Sequence, residues 1–223
     1  KDRVLMRYVV DELRSIAPDI AIYDYSADDK YDMAIATGGE DANRYFDKHF
    51  ATTRRLLRGS RHSVAVLDGS ESEEELMALA TDITAYSGLG CRSVSMIFYP
   101  HGTTPRLARC DAACHKLQQM LRARKALLTM QQKSYNDYGG YLATNGTMFP
   151  QSLGEVTISE YNDISEVAAW LTAHSHDIQC VVSHITTLDE HLPFGRIIPF
   201  GRGQYPSLDD YADGVDTMAF LTN

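Results

Sequence analysis

The sequence is short of several things, and each shortage removes a class of function. No apolar run in its 223 residues is long enough to cross a bilayer. Basic residues are outnumbered, 21 Lys and Arg against 30 Asp and Glu, for a formal charge of −9. A nucleic-acid binder needs a basic face to neutralise phosphate, so that class is excluded. Cysteines are few, and Cys91, Cys110, Cys114 and Cys180 lack the framework spacing of disulfide-stapled secreted domains; they read as reduced thiols of a cytoplasmic protein. Cys110-Asp-Ala-Ala-Cys114-His115 places three residues between its cysteines, where haem attachment needs two, and brings no partner ligands for zinc. A helix with small residues on one face accounts for it, and no metal is expected. Lys1 to Arg14 mixes charge and apolar residues at helical spacing, which is not a signal peptide.

What remains is a chain large enough to bury a substantial core, 44% hydrophobic, in which helical and strand patterns alternate. Val4, Leu5, Tyr8, Val9 and Leu13 have helical spacing, closed by Pro18. Ile20 to Tyr23 reads as a short strand and Met33 to Ala36 as a second. Thr37-Gly38-Gly39 then leads into the amphipathic run Glu40 to Phe50. Strand, glycines and helix start can place backbone amides against a phosphate, although a plain tight turn has the same sequence. No Gly-x-Gly-x-x-Gly precedes it. Arg54, Arg55, Arg58 and Arg61 form a basic cluster before the strand Ser63 to Leu67, suited to pairing with acidic neighbours or to meeting the phosphates of a ligand. Ser70 or Ser72 caps a helix over Glu71 to Ala85.

That helix delivers the chain into Tyr86-Ser-Gly-Leu-Gly-Cys-Arg-Ser-Val-Ser95 and the buried strand Val94 to Tyr99. Gly88 and Gly90 allow a sharp turn and leave room beside the sulfur of Cys91. Such a junction can aim a thiolate at a carbonyl or thioester carbon. The same pattern also fits a glycine-rich turn around an inert, buried cysteine.

Further on, Leu107 to Met130 is a long amphipathic segment, and Gln131 to Gln151 is aromatic and glycine-rich, a ligand-lining loop or an irregular wrap. Val156 to Tyr161, Ile164 to Ala173 and Ile178 to Ser183 form a β-α-β unit, which implies parallel pairing. Val215 to Leu221 reads as a final strand.

The segment around Cys91 resembles the nucleophile segment of the fatty acyl-CoA reductases of bacterial luminescence, a branch of the aldehyde dehydrogenase superfamily. The resemblance runs from about Arg3 to the C-terminus. It implies an α/β fold with a mostly parallel sheet flanked by helices, divided into residues 1–55 as part of a nucleotide-binding domain, 56–200 as the catalytic domain, and 201–223 as a closing or interface segment. It implies reduction of an acyl-CoA to aldehyde with NAD(P)H through an acyl-cysteine on Cys91, with Gly88, Gly90 and Arg92 in the nucleophile and oxyanion turn. Thr37, Gly38 and Gly39 would lie against the nicotinamide cofactor. Gln151 and Leu153 stand where the superfamily carries Glu-x-Phe-Gly-Pro-Val, whose glutamate binds the nicotinamide ribose.

Where ordinary aldehyde dehydrogenases carry Glu-Leu-Gly-Gly, this chain has Leu57-Arg58-Gly59-Ser60. Without that water-activating glutamate an acyl-cysteine should survive to meet a hydride or a thiol. His62 and His101 are candidate acids. Pro199-Phe200-Gly201 is similar to the family's Pro-Phe-Gly-Gly stretch, and the closing strand of relatives pairs across a subunit interface, implying a homo-oligomer. The missing nucleotide-binding half implies a fragment. Two rivals share these residues: a CoA-acylating dehydrogenase running in the oxidative direction, and an inactive binding module.

Overall fold

The computed structural model describes residues 3–191, 197–208 and 210–222. Two sheets, one parallel and one mostly parallel, carry the architecture. The smaller pairs β1 (Met33–Thr37) with β2 (Arg54–Arg58), Thr37 opposite Arg58. Helix α2 (Glu40–His49) connects them. It packs so closely that a Cβ on Gly38 would lie 2.5 Å from that of Ala42. The strand, glycine turn and helix are therefore those the sequence predicts, and glycine is required there by helix–strand contact. Helix α1 (Arg3–Ile16) precedes them and buries none of its residues.

The larger sheet has the order β5-β6-β7-β4-β3-β8-β9. Its strands are β3 (His62–Val66), β4 (Val94–Pro100), β5 (Asn136–Asp137), β6 (Leu142–Asn145), β7 (Glu155–Tyr161), β8 (Ile178–Val182) and β9 (Ile197–Ile198). All pairings are parallel except β5 with β6. The β-α-β unit expected at residues 156–183 is present, but its two strands are not neighbours, since β4 and β3 lie between them.

Alternate residues of the central strands feed opposite layers, as a sheet covered on both faces requires. Ala65 and Leu67 join Leu79, Ala80 and Ile83 of α3 (Glu73–Thr84) in one cluster. Val64 and Val66 join Val167 and Leu171 of α5 (Ile164–Ala173) in the other. Ser72 caps α3 with a full capping box, Glu75 bonding back to the Ser72 amide. Helix α4 (His115–Met130) adds Leu117, Leu121 and Leu128 against Leu142.

Three sequence expectations fail. Residues 20–23 are not a strand; the Ile22 carbonyl accepts from Arg14 instead of a ladder partner. The arginine cluster does precede the larger sheet: Arg54, Arg55 and Arg58 form β2 of the smaller one, and Arg61 stands directly before β3. Residues 107–114, with Cys110 and Cys114, do not start a helix. The Cys110 amide donates to Tyr138 and the Ala108 carbonyl accepts from Tyr141, which holds the segment extended until α4 begins. The final segment is helix α6 (Thr217–Thr222): the Asp216 carboxylate accepts from the Ala219 amide, and that cap outweighs the β propensity of so short a run. The strand on which an oligomer interface was expected is therefore not there.

Candidate active site

The parallel strands put one set of side chains at their amino ends and another at their carboxyl ends. Cys91 sits at the amino edge, three residues before β4, and it is exposed. The turn that carries it is made by Tyr86, Ser87 and Gly88, with φ of 53°, 60° and 72°. This is the longest left-handed run among the described residues, and for the two non-glycines it costs on the order of 1–2 kcal/mol each. Backbone strain of this kind persists only where surrounding structure over-determines it.

The surroundings here are specific. Ser93 Oγ donates to the Ala85 carbonyl at 3.1 Å, and its amide donates to Gly90 at 2.9 Å. Ser63, fully buried at a bulge that opens β3, donates to the Cys91 carbonyl at 2.9 Å and lies 3.1 Å from Cys180 Sγ. The Cys91 and Arg92 amides have no internal partner among the described residues. Arg92 itself does not face the thiol's neighbours in the turn. Its guanidinium binds Asp210 at 2.5 Å and ties the turn to the C-terminal segment.

Beneath the turn lies a cleft of about 170 Å³ in which several expected residues meet: Gly88, His62, Gln151 and Leu153, with Ser95 and Glu155. His62 stacks on Phe149 with centroids 4.2 Å apart and shares a hydrogen bond with Ser95 Oγ. Burial lowers its pKa below the usual histidine value, which keeps the ring neutral near pH 7. His101 is elsewhere. It follows the carboxyl end of β4 and pairs with Glu160 at 2.6 Å, so the length of a strand separates it from Cys91.

Thr37, Gly38 and Gly39 also stand apart, on the smaller sheet. There the Gly38 amide donates to the Arg58 carbonyl, and Gly39 approaches Ser60. The stretch that lacks the family's glutamate thus lies beside the glycine turn. Arg58 Nη2 reaches Thr217, and Arg61 pairs with Asp213 at 2.8 Å. Glu40 and Asp41 fill the first turn of α2. A phosphate at that helix end would meet two like charges.

Sequence reasoning missed Ser63, Asp82 and Asp210. Asp82 could have been found: it is an acid on the apolar face of α3, among Leu79, Ala80 and Ile83. It is buried and accepts from the Gly201 and Gly203 amides at 2.6 and 3.0 Å, gathering the Pro199-Phe200-Gly201 loop against the helix. Burial raises its pKa, against the lowering effect of those two amides. Ser63 and Asp210 carry no such signal, because nothing local marks their long-range partners.

The sheet order and the thiol turn together define an aldehyde dehydrogenase-type fold, and solved structures agree. A variant of proline utilization A (PutA) from Bradyrhizobium japonicum superposes with a TM-score of 0.58 at 11% identity, covering 78% of this chain and 22% of that one. P. syringae AldA, an indole-3-acetaldehyde dehydrogenase in complex with NAD+ and IAA, gives 0.55 at 9% identity, covering 79% of this chain and 45% of that one. The chain thus spans less than half the length of these relatives. No curated protein matches it. The profile of the acyl-CoA reductase (LuxC) family matches residues 17–145, more than half of the sequence and inclusive of Cys91. The chain belongs to that family.

Proposed function

We propose that this chain carries the acyl-transfer centre of an acyl-CoA reductase, with Cys91 as nucleophile. The observation that supports this most is an exposed thiol three residues after a strained turn whose Gly88 lines a cleft. The Cys91 thiolate attacks the thioester carbonyl; a new carbon–sulfur bond forms, and the bond to coenzyme A breaks. Coenzyme A leaves as a thiolate and takes up a proton. In this reading the unpartnered Cys91 and Arg92 amides donate to the oxyanion as charge develops there. A reduced nicotinamide, when bound, supplies the hydride that takes the acyl carbon to the aldehyde level.

The residues present fit the ring of that cofactor better than its phosphates. The cleft has apolar walls in Ile83, Val94 and Val156, with His62 and Gln151 as polar groups, whereas the α2 start repels phosphate. Neutral His62 is the group placed to exchange a proton at the cleft. With Leu57 and Arg58 where a water-activating carboxylate would stand, the acyl-cysteine is protected from hydrolysis. Residues 1–55 then correspond to part of a nucleotide-binding unit and 56–200 to the catalytic unit. Incubation with an acyl-CoA followed by intact-mass and peptide spectrometry tests the reading. A single acyl adduct on Cys91, absent in Cys91→Ala, is expected; an adduct only on Cys110, Cys114 or Cys180, or none, overturns it.

A further inference from the structure

Two clefts flank the Tyr86–Gly88 turn, and Leu153 contributes to both. The cleft on the His62 side has polar groups along its wall. The other, about 180 Å³, is walled by Leu89, Leu117, Met120 and Leu153, with Ser87 and Cys114 at its edge and Lys116 as its one charge. We propose that this second slot holds the aliphatic tail of the acyl group bound at Cys91, so that Leu89, Met120 and Leu153 set the preferred chain length. The proposal rests on the reading of Cys91 as nucleophile and adds the place and extent of the substrate's apolar part.

Four observations carry it. Leu89, which lines the slot, stands two residues from Cys91, so the backbone at the slot wall is at most about 7 Å from that of the cysteine. Leu89 is 67% exposed and Leu153 37% exposed, and Leu117 behind them is buried; an apolar ligand would cover what the fold leaves open. The volume is about six times the ~30 Å³ share of a water molecule, room for roughly six chain atoms. Methionine is the apolar side chain best able to adapt to a flexible tail, and Met120 faces the space. Each methylene withdrawn from water should favour acylation about fourfold until the slot is full.

The test uses S-acyl N-acetylcysteamine thioesters of two to sixteen carbons with the full chain, following Cys91 acylation by mass spectrometry. The rate should climb with chain length to about eight carbons and then level off. Met120→Trp should lower the octanoyl-to-acetyl rate ratio at least tenfold. Should that variant fail to fold, Leu89→Ala, at an exposed position, reads the same ratio. Cys114 supplies a second readout. It is exposed, and its pKa is lowered by the Leu117 amide and the Ser87 hydroxyl, so iodoacetamide should label it. An octanoyl group on Cys91 should slow that labelling several-fold, whereas an acetyl group should not. Acylation of Cys91 at rates independent of chain length, with Cys114 equally labelled throughout, overturns the slot and leaves the nucleophile standing. No acylation by any thioester overturns the reading beneath it.

Discussion

The two edges of the larger sheet are built from similar materials and do different things. At the carboxyl edge, His184 follows β8 and sits among Asp68, Glu71 and Glu75. Its Nδ1 lies 2.9 Å from Glu75, and its Nε2 3.1 Å from Asp68 and 4.0 Å from Glu71. His101 and Glu160 pair at the same edge. Among the described residues, Asp68, Glu71 and His184 form the one group with three metal-ligating atoms within 4.8 Å. Yet the two oxygens of Glu71 already accept from the Asp68 and Gly69 amides, and His184 already bridges two carboxylates. Each of these named charges has a partner, and the positive φ values in these loops fall on glycines, Gly69 and Gly102.

The amino edge is the reverse. There the backbone of the Tyr86–Gly88 turn is strained, clefts open on both sides of that turn, and an exposed thiol follows three residues later. Open parallel sheets commonly bind ligands at their carboxyl ends. Here the proposed nucleophile follows a turn at the amino ends, and the carboxyl edge is a charge-paired seam.

Exchanging substitutions between edges is the sharpest way to break this comparison. Cys91→Ala should abolish the acyl adduct, a loss on the order of 10⁴-fold or more. His101→Ala and His184→Ala should leave acylation within about twofold. A comparable loss from either histidine, measured by the same mass assay, would mean that the edges are not separate.

The next largest effect contrasts two buried serines. Ser63 anchors the Cys91 carbonyl at the amino edge, and Ser183 donates to the Val66 carbonyl at the carboxyl edge at 2.8 Å. Removing either hydroxyl leaves a buried acceptor short of a donor and should cost about 1–3 kcal/mol in denaturant melts. Only Ser63→Ala should also slow Cys91 acylation. Equal slowing by Ser183→Ala would show a global effect of stability on reactivity.

The carboxyl edge was also the harder one to read in advance. Central strands and helices were legible because their signals are local: the apolar runs of β4 and β7, and a serine, Ser70 or Ser72, before the helix that Ser72 caps. The Cys91 turn was legible from its glycines and, more specifically, from a family segment. Signals failed where distant partners decide. Residues 107–114 have helical composition, but Tyr138 and Tyr141 claim their backbone. Arg92 looks like part of an oxyanion turn, but Asp210 is 118 residues away. His184 meets Glu75 from 109 residues away, and nothing near it announces the contact.

The smallest expected effect asks whether that seam is ionic. The hydrogen bond to Glu75, with Asp68 next, raises the His184 pKa despite partial burial. The Glu75 pKa is lowered, first by its bond to His184. Burial alone would raise Asp68, but hydrogen bonds from Ser70 and His184 outweigh it and lower its pKa. A raised histidine pKa means that the folded state holds the proton more tightly than the unfolded chain. Its contribution is full below the ordinary value of about 6.5 and fades as pH climbs through the raised folded value. The lowered carboxylates act oppositely, contributing fully above about pH 4.5 and losing that contribution as pH falls through their depressed values.

The seam should therefore contribute most between about pH 5 and 6.5. His184 is 29% exposed and Asp68 40%, so solvent screening limits the contribution to about 1 kcal/mol or less. At this chain length that is a gap of about 2–4 °C at most between wild type and His184→Gln at pH 6, shrinking by pH 8.5. A gap unchanged across that range would assign the seam to packing against Phe200, whose ring meets His184 edge-on at 5.7 Å, rather than to charge.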